Sequence, residues 1–561
     1  MSKTLTTEAQ RRRDEVGMLA TEGKPETHMD LRQVPTIEPK KRKARLCIPL
    51  CSLSLCVEIL VAPGCMVGPD YKRPETSVSA GFSGLDKRAS PDNLSSKPND
   101  GPIEISRWWR EFNDDQLTGL IAKAQRQNLD VAVAIARVRQ ARAQVIIATG
   151  GLYPSISIGA SASQSRNPVG GLGTGGNGRI SESWQAGFDA SWEIDVFGGV
   201  RRQIEASKAG LEASFENRDD VLVTLAGDIG TNYINLRGSQ SQLAIARSNL
   251  EAQEQTLALT QERFEAGFVS ALDVANAQAQ VASTRSSIPA TEGQIRAFIY
   301  ALGVLLGEEP AVLLAELTPD KAIPHAPASV PIGLPSELLL RRPDIRRAEA
   351  NLHAATAQIG AAIANLYPQF NLNGSIGLQG GNAGDLGSLA NHYWSYGPGA
   401  NWLVFDGGQT RGNIELQRGV TDEAFATYKQ TVLVALQDTE TALVNFTSQQ
   451  QRRVSLADAV EANKAAVDLS MQLYSNGRTD FLNVLSAQRQ LFLSEDALAQ
   501  SEANVSTSLV ALYKALGGGW GLEDGSEPIG PPESRAVVVV PPSEPTTANQ
   551  EPTMHPPTPA Q

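Results

Sequence analysis

From Phe215 onward an apolar residue recurs at every seventh position: Leu222, Ile229, Leu236, Leu243, Leu250, Leu257 and Phe264. A strict seven-residue repeat predicts helices packed with a left-handed supercoil. The run between Gly199 and Gly267 would form a rod of about 100 Å at ~1.5 Å per residue. A second series, Phe425, Val432, Thr439, Phe446, Arg453, Val460, Val467 and Tyr474, predicts another rod, about 409–476. Shorter helical patterns cover about 116–150 and 271–306. Stacked end to end, those two would match a long rod, so each unit offers one long and one composite rod.

Between the helical patterns the period changes to two. In SWQAGFDASWEIDVFGG (183–199), Trp184, Ala186, Phe188, Ala190, Trp192, Ile194 and Val196 alternate with Gln185, Gly187, Asp189, Ser191, Glu193 and Asp195. Such alternation predicts a strand with one apolar and one polar face. A soluble sandwich strand fits this stretch taken alone. Between long helices, duplicated, it fits better a membrane strand, with apolar residues outward, aromatic anchors, and Asp189, Glu193 and Asp195 facing a wet lumen. Trp184, Trp192, Trp394 and Trp402 are the candidate interface aromatics.

The chain repeats itself. LDVAVAIARVRQARAQVIIATGGLYP (129–154) matches PDIRRAEANLHAATAQIGAAIANLYP (343–368), and FEAGFVSALDVANAQ (264–278) matches YSNGRTDFLNVLSAQ (474–488). Gly267 and Gly477 are 210 residues apart. The order in each copy is a helix ending at Leu-Tyr-Pro, a strand, a glycine-rich loop, a second strand and a long helix. Strands are expected at about 155–165, 183–197, 369–379 and 394–405. The resulting divisions are 1–64 (extension and signal segment), 65–115 (anchor and N-terminal segment), 116–310 (first repeat), 311–334 (linker), 335–521 (second repeat) and 522–561 (Pro-rich tail). Four strands per chain cannot close a barrel, and open edges do not exist in lipid, so closure must come from further copies. Two copies would give eight strands with a filled interior, and three would give twelve with a channel.

Composition narrows the choice. Among 561 residues, 20% are charged, which excludes a polytopic helical membrane protein. The net charge of −12 argues against a nucleic-acid partner. Cys47, Cys51, Cys56 and Cys65 all precede residue 66, and the five histidines are scattered. No metal site, cofactor or catalytic site is therefore expected, and the chain is not expected to be an enzyme. Basic residues 40–45 precede LCIPLCSLSLCVEILVAPGC (46–65), in the order of a signal peptide. Its end, APGC, makes Cys65 a candidate lipid anchor. A short buried helix is the alternative reading of that run.

CMVGPDYKRP (65–74), RWWREFNDDQLTGLI (107–121), the duplicated Leu-Tyr-Pro, WEIDVFGG (192–199) and RRPDIRRAEANL (341–352) resemble outer-membrane efflux proteins of the TolC/OprM type, in the lipoprotein branch. The resemblance spans about residues 65–520. It implies an α+β fold with an internal two-fold repeat. It implies a homotrimer whose shared twelve-stranded barrel in outer-membrane lipid continues into a helical coiled-coil barrel. It implies a passive exit duct fed by an inner-membrane pump of the RND class through a periplasmic adaptor. The turns at Gly267 and Gly477 then form the periplasmic tip, where the adaptor docks. Asp273 and Tyr474 match positions that latch neighbouring helices when the tip is closed. Acidic aperture residues are replaced by Asn483 and Ser486, leaving Asp480 to supply an aperture charge or to serve as a helix N-cap. A duct for type I protein secretion uses the same fold, and a poreless periplasmic coiled-coil lipoprotein is the reading from outside transport.

Overall fold

A computed structural model describes residues 66–76, 81–82, 97–99, 105–167 and 179–522. Cys65, the signal-like segment and the Pro-rich tail lie outside the described residues. The elements in order are β1 (Lys97–Asn99), α1 (Asp115–Gln127), α2 (Leu129–Gly150), β2 (Ser155–Asn167), β3 (Arg179–Ile194), α3 (Gly199–Glu265), α4 (Ala271–Leu305), α5 (Leu314–Leu317), β4 (Ser329–Pro331), α6 (Pro335–Arg341), α7 (Pro343–Ala364), β5 (Gln369–Gly380), β6 (His392–Asn401), α8 (Gln409–Ser475) and α9 (Phe481–Ala515). Among the described residues, no helix is long and apolar enough to cross a membrane.

The two long helices, α3 and α8, each run 67 residues, about 100 Å at ~1.5 Å per residue. The pattern at 116–150 is not one helix. It breaks at Asn128, whose side-chain oxygen caps α2 by accepting from the Val131 N–H. The same amide donates to the Leu305 carbonyl at 2.9 Å, so α2 meets the end of α4. The second repeat makes the same junction differently. Arg342, just before α7, donates to the Ala515 carbonyl at 2.8 Å, at the end of α9. Two short helices thus stack into one composite rod in each repeat. One packs along α3 (α2 with α4) and the other along α8 (α7 with α9); α7 and α9 also touch α3.

The heptad seam of α3 is core only in part. Phe215, Leu222, Ile229, Leu236 and Leu243 are buried, whereas Leu250 and Leu257 are half-buried and Phe264 is exposed. A seven-residue period on a 3.6-residue helix drifts by about 20° per heptad. Below Leu243 the drift turns Gln253, Thr256 and Thr260 inward instead. The main core lies higher, where Trp108, Trp109 and Phe112 pack with Ile229, Tyr233, Leu236, Ile299, Leu302, Leu509 and Tyr513.

The strands β2, β3, β5 and β6 form one antiparallel sheet in that order. β1 and β4 form a separate two-stranded parallel pair. The last strand was expected to run to about 405 but ends at Asn401, paired with Gln369. The β3 strand likewise stops at Ile194, paired with Phe370. The preceding residue, Pro368, has no N–H with which to continue either ladder.

Candidate functional site

The sheet has two unlike faces, and among the described residues no long helix packs on either. Register fixes which residues share each one. On the first lie Ile156, Ile158, Phe188, Leu372, Ile376, Trp394 and Tyr396. Exposure of these side chains is high: Ile158 75%, Ile376 58%, Trp394 63% and Tyr396 77%. On the other, Ser157, Asp189, Ser375 and Ser395 form one row, and Ser191 donates to Asn373 at 3.0 Å beside it. A contiguous apolar sheet face bare in water is a mismatch that lipid removes. The described strands leave β2 and β6 each with one unpaired edge.

Along β3, Trp184 and Trp192 stand eight residues apart, about 26 Å at ~3.3 Å per residue. The indole of Trp192 donates to the Leu152 carbonyl at 2.9 Å, and that of Trp402 to the Leu366 carbonyl at 3.0 Å. The duplicated Leu-Tyr-Pro corners are thus each hooked by a tryptophan. Trp402 lies just past β6. Trp394 lies on the outer strand β6, partway along the strands, in the row of Phe188 and Ile376.

Asp189 and Glu193 lie exposed on the polar face. Asp195 does not join them. It sits past the strand end, accepts from the Val200 and Arg201 N–H groups, and pairs with the Arg201 guanidinium at 3.1 Å. Its carboxylate serves the positive end of α3 rather than a lumen. Asp406 does the same for α8, accepting from the Gly408 and Thr410 N–H groups. Hydrogen bonds from the Thr410 hydroxyl and N–H, then from Gly408, hold its carboxyl down to about 2.

At this junction the segment after Cys65 is strapped down. Val67 N–H donates to the Phe197 carbonyl at 3.1 Å, and Met66 packs on Gly198. Arg202, 1% exposed, donates to the Val67 carbonyl, to Asp70 at 2.7 Å and to Glu205 at 2.8 Å. Burial opposes its charge, but the bonds to Asp70 and Glu205 raise its pKa regardless. Tyr71 stacks on His353 at 4.5 Å, and Arg73 pairs with Glu349 at 2.6 Å.

At the opposite end of the long helices both turns close alike. Gly267 has φ +77° and Gly477 +68°. Phe268 N–H reaches the Arg263 carbonyl, and Arg478 N–H the Leu473 carbonyl, each at 2.8 Å. These are Schellman caps with glycine at C′. No atom lies within 4 Å of a Cβ built at Gly267, so φ, not close backbone approach, requires glycine there.

The expected latch is not formed in this conformation. Asp273 is engaged by the Ser270 N–H and hydroxyl in a capping box, and the buried Tyr474 hydroxyl has no hydrogen-bond partner. Arg263 binds Tyr474 instead. Its guanidinium lies 4.7 Å from the ring centroid, and it donates to the Tyr474 and Ser475 carbonyls at 2.8 and 3.2 Å. Asp480 occupies the N-cap position of α9 but makes no side-chain cap bond, and Asn483 donates to the Thr479 hydroxyl at 2.8 Å. Ser486 is exposed. Sequence reasoning missed Arg263 and Arg202. The signal available was that their repeat counterparts, Leu473 and Gly412, carry no charge.

The family described as outer membrane efflux protein matches residues 120–308 and 334–518. The chain belongs to this family. Among similar proteins is nodulation protein T of Rhizobium leguminosarum bv. viciae, 32% identical over 83% of this chain and 93% of that one. The pyoverdine export outer membrane protein OpmQ of Pseudomonas aeruginosa is 33% identical over 74% of this chain and 88% of its own. The solved outer-membrane channel OprN superposes with a TM-score of 0.76 at 36% identity, over 81% of this chain and all of that one. The open state of the Neisseria gonorrhoeae channel MtrE superposes with a TM-score of 0.68 at 27% identity, over 82% and 99%. The fold is thus that of the TolC-like outer-membrane channels, and the chain is an outer-membrane exit duct for efflux. Both of these solved structures are outer-membrane channels.

Proposed function

We propose that three copies of this chain close one twelve-stranded barrel and one helical tunnel. Solutes would cross it passively, driven by an inner-membrane pump of the RND class through a periplasmic adaptor. The observation that carries this reading is the sheet with one bare apolar face, one polar face and two unpaired edges. In lipid such edges must be paired, and cyclic closure pairs β6 of one copy with β2 of the next. The helices support the same closure. On α8 the buried residues Tyr428, Val432, Ala435, Thr439 and Phe446 occupy one face. At 100° per residue the exposed Leu433, Val434, Val444 and Leu469 fall on the opposite face. Elsewhere Ile146 and Ile147 on α2 and Val304 on α4 are bare, offering a second apolar flank for a neighbour.

In this reading Trp184 at one end and Trp192 with Trp402 at the other bracket the membrane. Asp189 and Glu193 line the lumen. Cys65 would anchor the chain to lipid, because Met66, the next residue, packs at the foot of β3. The adaptor would dock at the tip around Gly267 and Gly477, where Phe268 and Leu272 are exposed. The test is conductance of the purified protein in planar bilayers, together with its mass in detergent. Discrete channels from a trimer are expected; an inert monomer would overturn the reading. Cys65→Ser should lose lipid labelling yet still insert, and a soluble periplasmic product would refute the barrel.

A further inference from the structure

The polar face of the sheet holds two adjoining features that strand pairing alone does not require. The first is Tyr393 of β6. Its row in the ladder continues through Gly377 on β5 to Gly187 on β3. The ring lies down across both neighbours. A Cβ built at Gly377 would stand 2.9 Å from its Cε1, and one at Gly187 2.8 Å from its hydroxyl. Gln185 donates to that hydroxyl at 2.6 Å and pins the ring in place. A larger residue at 187 or 377 would lift the ring off the wall. With one face on glycine backbone, Tyr393 is half-buried, and its other face is left to the lumen.

The second feature is a hollow of about 300 Å³, in which Asp189 stands among Ser155, Ser157, Ser191, Asn373, Ser375 and Ser395. Asp189 is two residues from Gly187, so the carboxylate row and the ring row lie about 7 Å apart at ~3.3 Å per residue. The polar groups around it are partly satisfied by one another. Ser375 and Ser395 share a hydrogen bond at 2.7 Å, and Ser191 donates to Asn373. Asp189 itself is exposed, and among the described residues its carboxylate has no partner. Glu193, four residues nearer α3, adds charge of the same sign. The described side chains of this face include no Lys or Arg.

An exposed carboxylate alone holds a cation weakly, because water and salt screen the pair. A single aromatic face is equally undemanding. Set one row apart on the same sheet, the two can be engaged together by a solute that carries both a ring and a cation. Once one end is bound, the other contact forms at high effective concentration. The ammonium also gains from the negative face of the ring. We infer that Asp189 and Tyr393 form a binding station in the barrel lumen for solutes that join an aromatic ring to an ammonium group, with one station per chain. The inference deepens the reading of the chain as a channel and rests on it.

The probe is phenethylammonium, its binding to the purified protein in detergent followed by ligand-observed NMR. Its dissociation constant should rise at least about fivefold in Asp189→Asn and in Tyr393→Leu. It should stay within about twofold of wild type in Tyr393→Phe, which keeps the ring and loses only the bond from Gln185. Ethylammonium, the same cation without a ring, should bind wild type at least about fivefold more weakly. Should Tyr393→Leu fail to assemble, Asp189→Asn still decides, because it changes one exposed side chain. Equal affinity in wild type and Asp189→Asn overturns the station. So does Tyr393→Phe binding as weakly as Tyr393→Leu. Conductance of the same preparations keeps the two readings apart. An open channel whose affinity ignores Asp189 refutes the station alone, whereas a wild-type protein with no conductance refutes the channel reading and the station with it.

Discussion

The helices α3 and α8 are copies with unlike surroundings. Both run 67 residues, both follow a glycine of positive φ at the N-cap and both end in a Schellman turn. Yet 28 residues of α3 are buried and only 10 of α8. The difference is supplied by neighbours. Helices α2, α4, α7 and α9 surround α3, whereas α8 meets α6, α7 and α9 and leaves its far side bare. Duplication therefore delivered one rod that its own chain completes and one that waits for another molecule. The bare side of α8 carries Leu433, Val434, Val444 and Leu469 among polar residues, apolar positions that a neighbouring copy would cover.

The sharpest way to break this contrast is a pair of equivalent charges. Val223 of α3, 4% exposed, and Leu433 of α8, 62% exposed, are 210 residues apart and occupy the same place in the repeat. Val223→Asp buries an unpaired carboxylate and should cost about 4 kcal/mol or more, so the chain should fail to fold. Leu433→Asp should leave the chain folded, with normal helical circular dichroism, while trimer is lost on seminative gels. If Leu433→Asp still yields a stable trimer, the bare stripe of α8 faces the lumen and not a neighbour.

A smaller effect separates the two tips. Arg263 has Leu473 as its counterpart, and buried Tyr474 has the exposed Phe264. Only the first repeat sends a cation across to cap its sister helix. Arg263→Ala removes two charge-assisted bonds and a cation–π contact, worth about 2–3 kcal/mol locally. Single-channel conductance should rise and proteolysis near residues 474–478 should increase. Leu473→Ala should do neither. Gly267→Ala and Gly477→Ala then test what the copies still share. Each forces a Cβ into the left-handed region and should cost about 1–2 kcal/mol, equally at both turns. Unequal losses of thermal stability would show that one tip glycine meets something beyond its own cap.

The sequence made the periods legible, and hence the long helices, the four strands and the duplication. These are properties of one segment at a time. It did not show that the heptad seam rotates out of the core below Leu243, because drift depends on how far the partner helices supercoil. Nor did it separate Asp195 from Asp189. Both fall on the polar phase of the same strand, and only the ladder's end at Ile194 decides that Asp195 caps a helix. The candidate site was read in part for the same reason. Asp273 and Tyr474 came from the resemblance to the family, whereas Arg263 acts across 211 residues, a relation that no local pattern encodes.

The finest test concerns that latch. If Asp273 held Tyr474 through its hydroxyl, Tyr474→Phe would loosen the tip as much as Asp273→Ala. In the structure the hydroxyl is buried without a partner, so its removal should be neutral or slightly stabilising, while the ring keeps its contact with Arg263. Asp273→Ala should instead lose the capping box at the start of α4, a cost of about 1 kcal/mol confined to its first turn. Conductance should stay at the wild-type level in Tyr474→Phe. An increase there, matched by Asp273→Ala and not additive in the double variant, would restore the bond between them and demote Arg263 to a local cap.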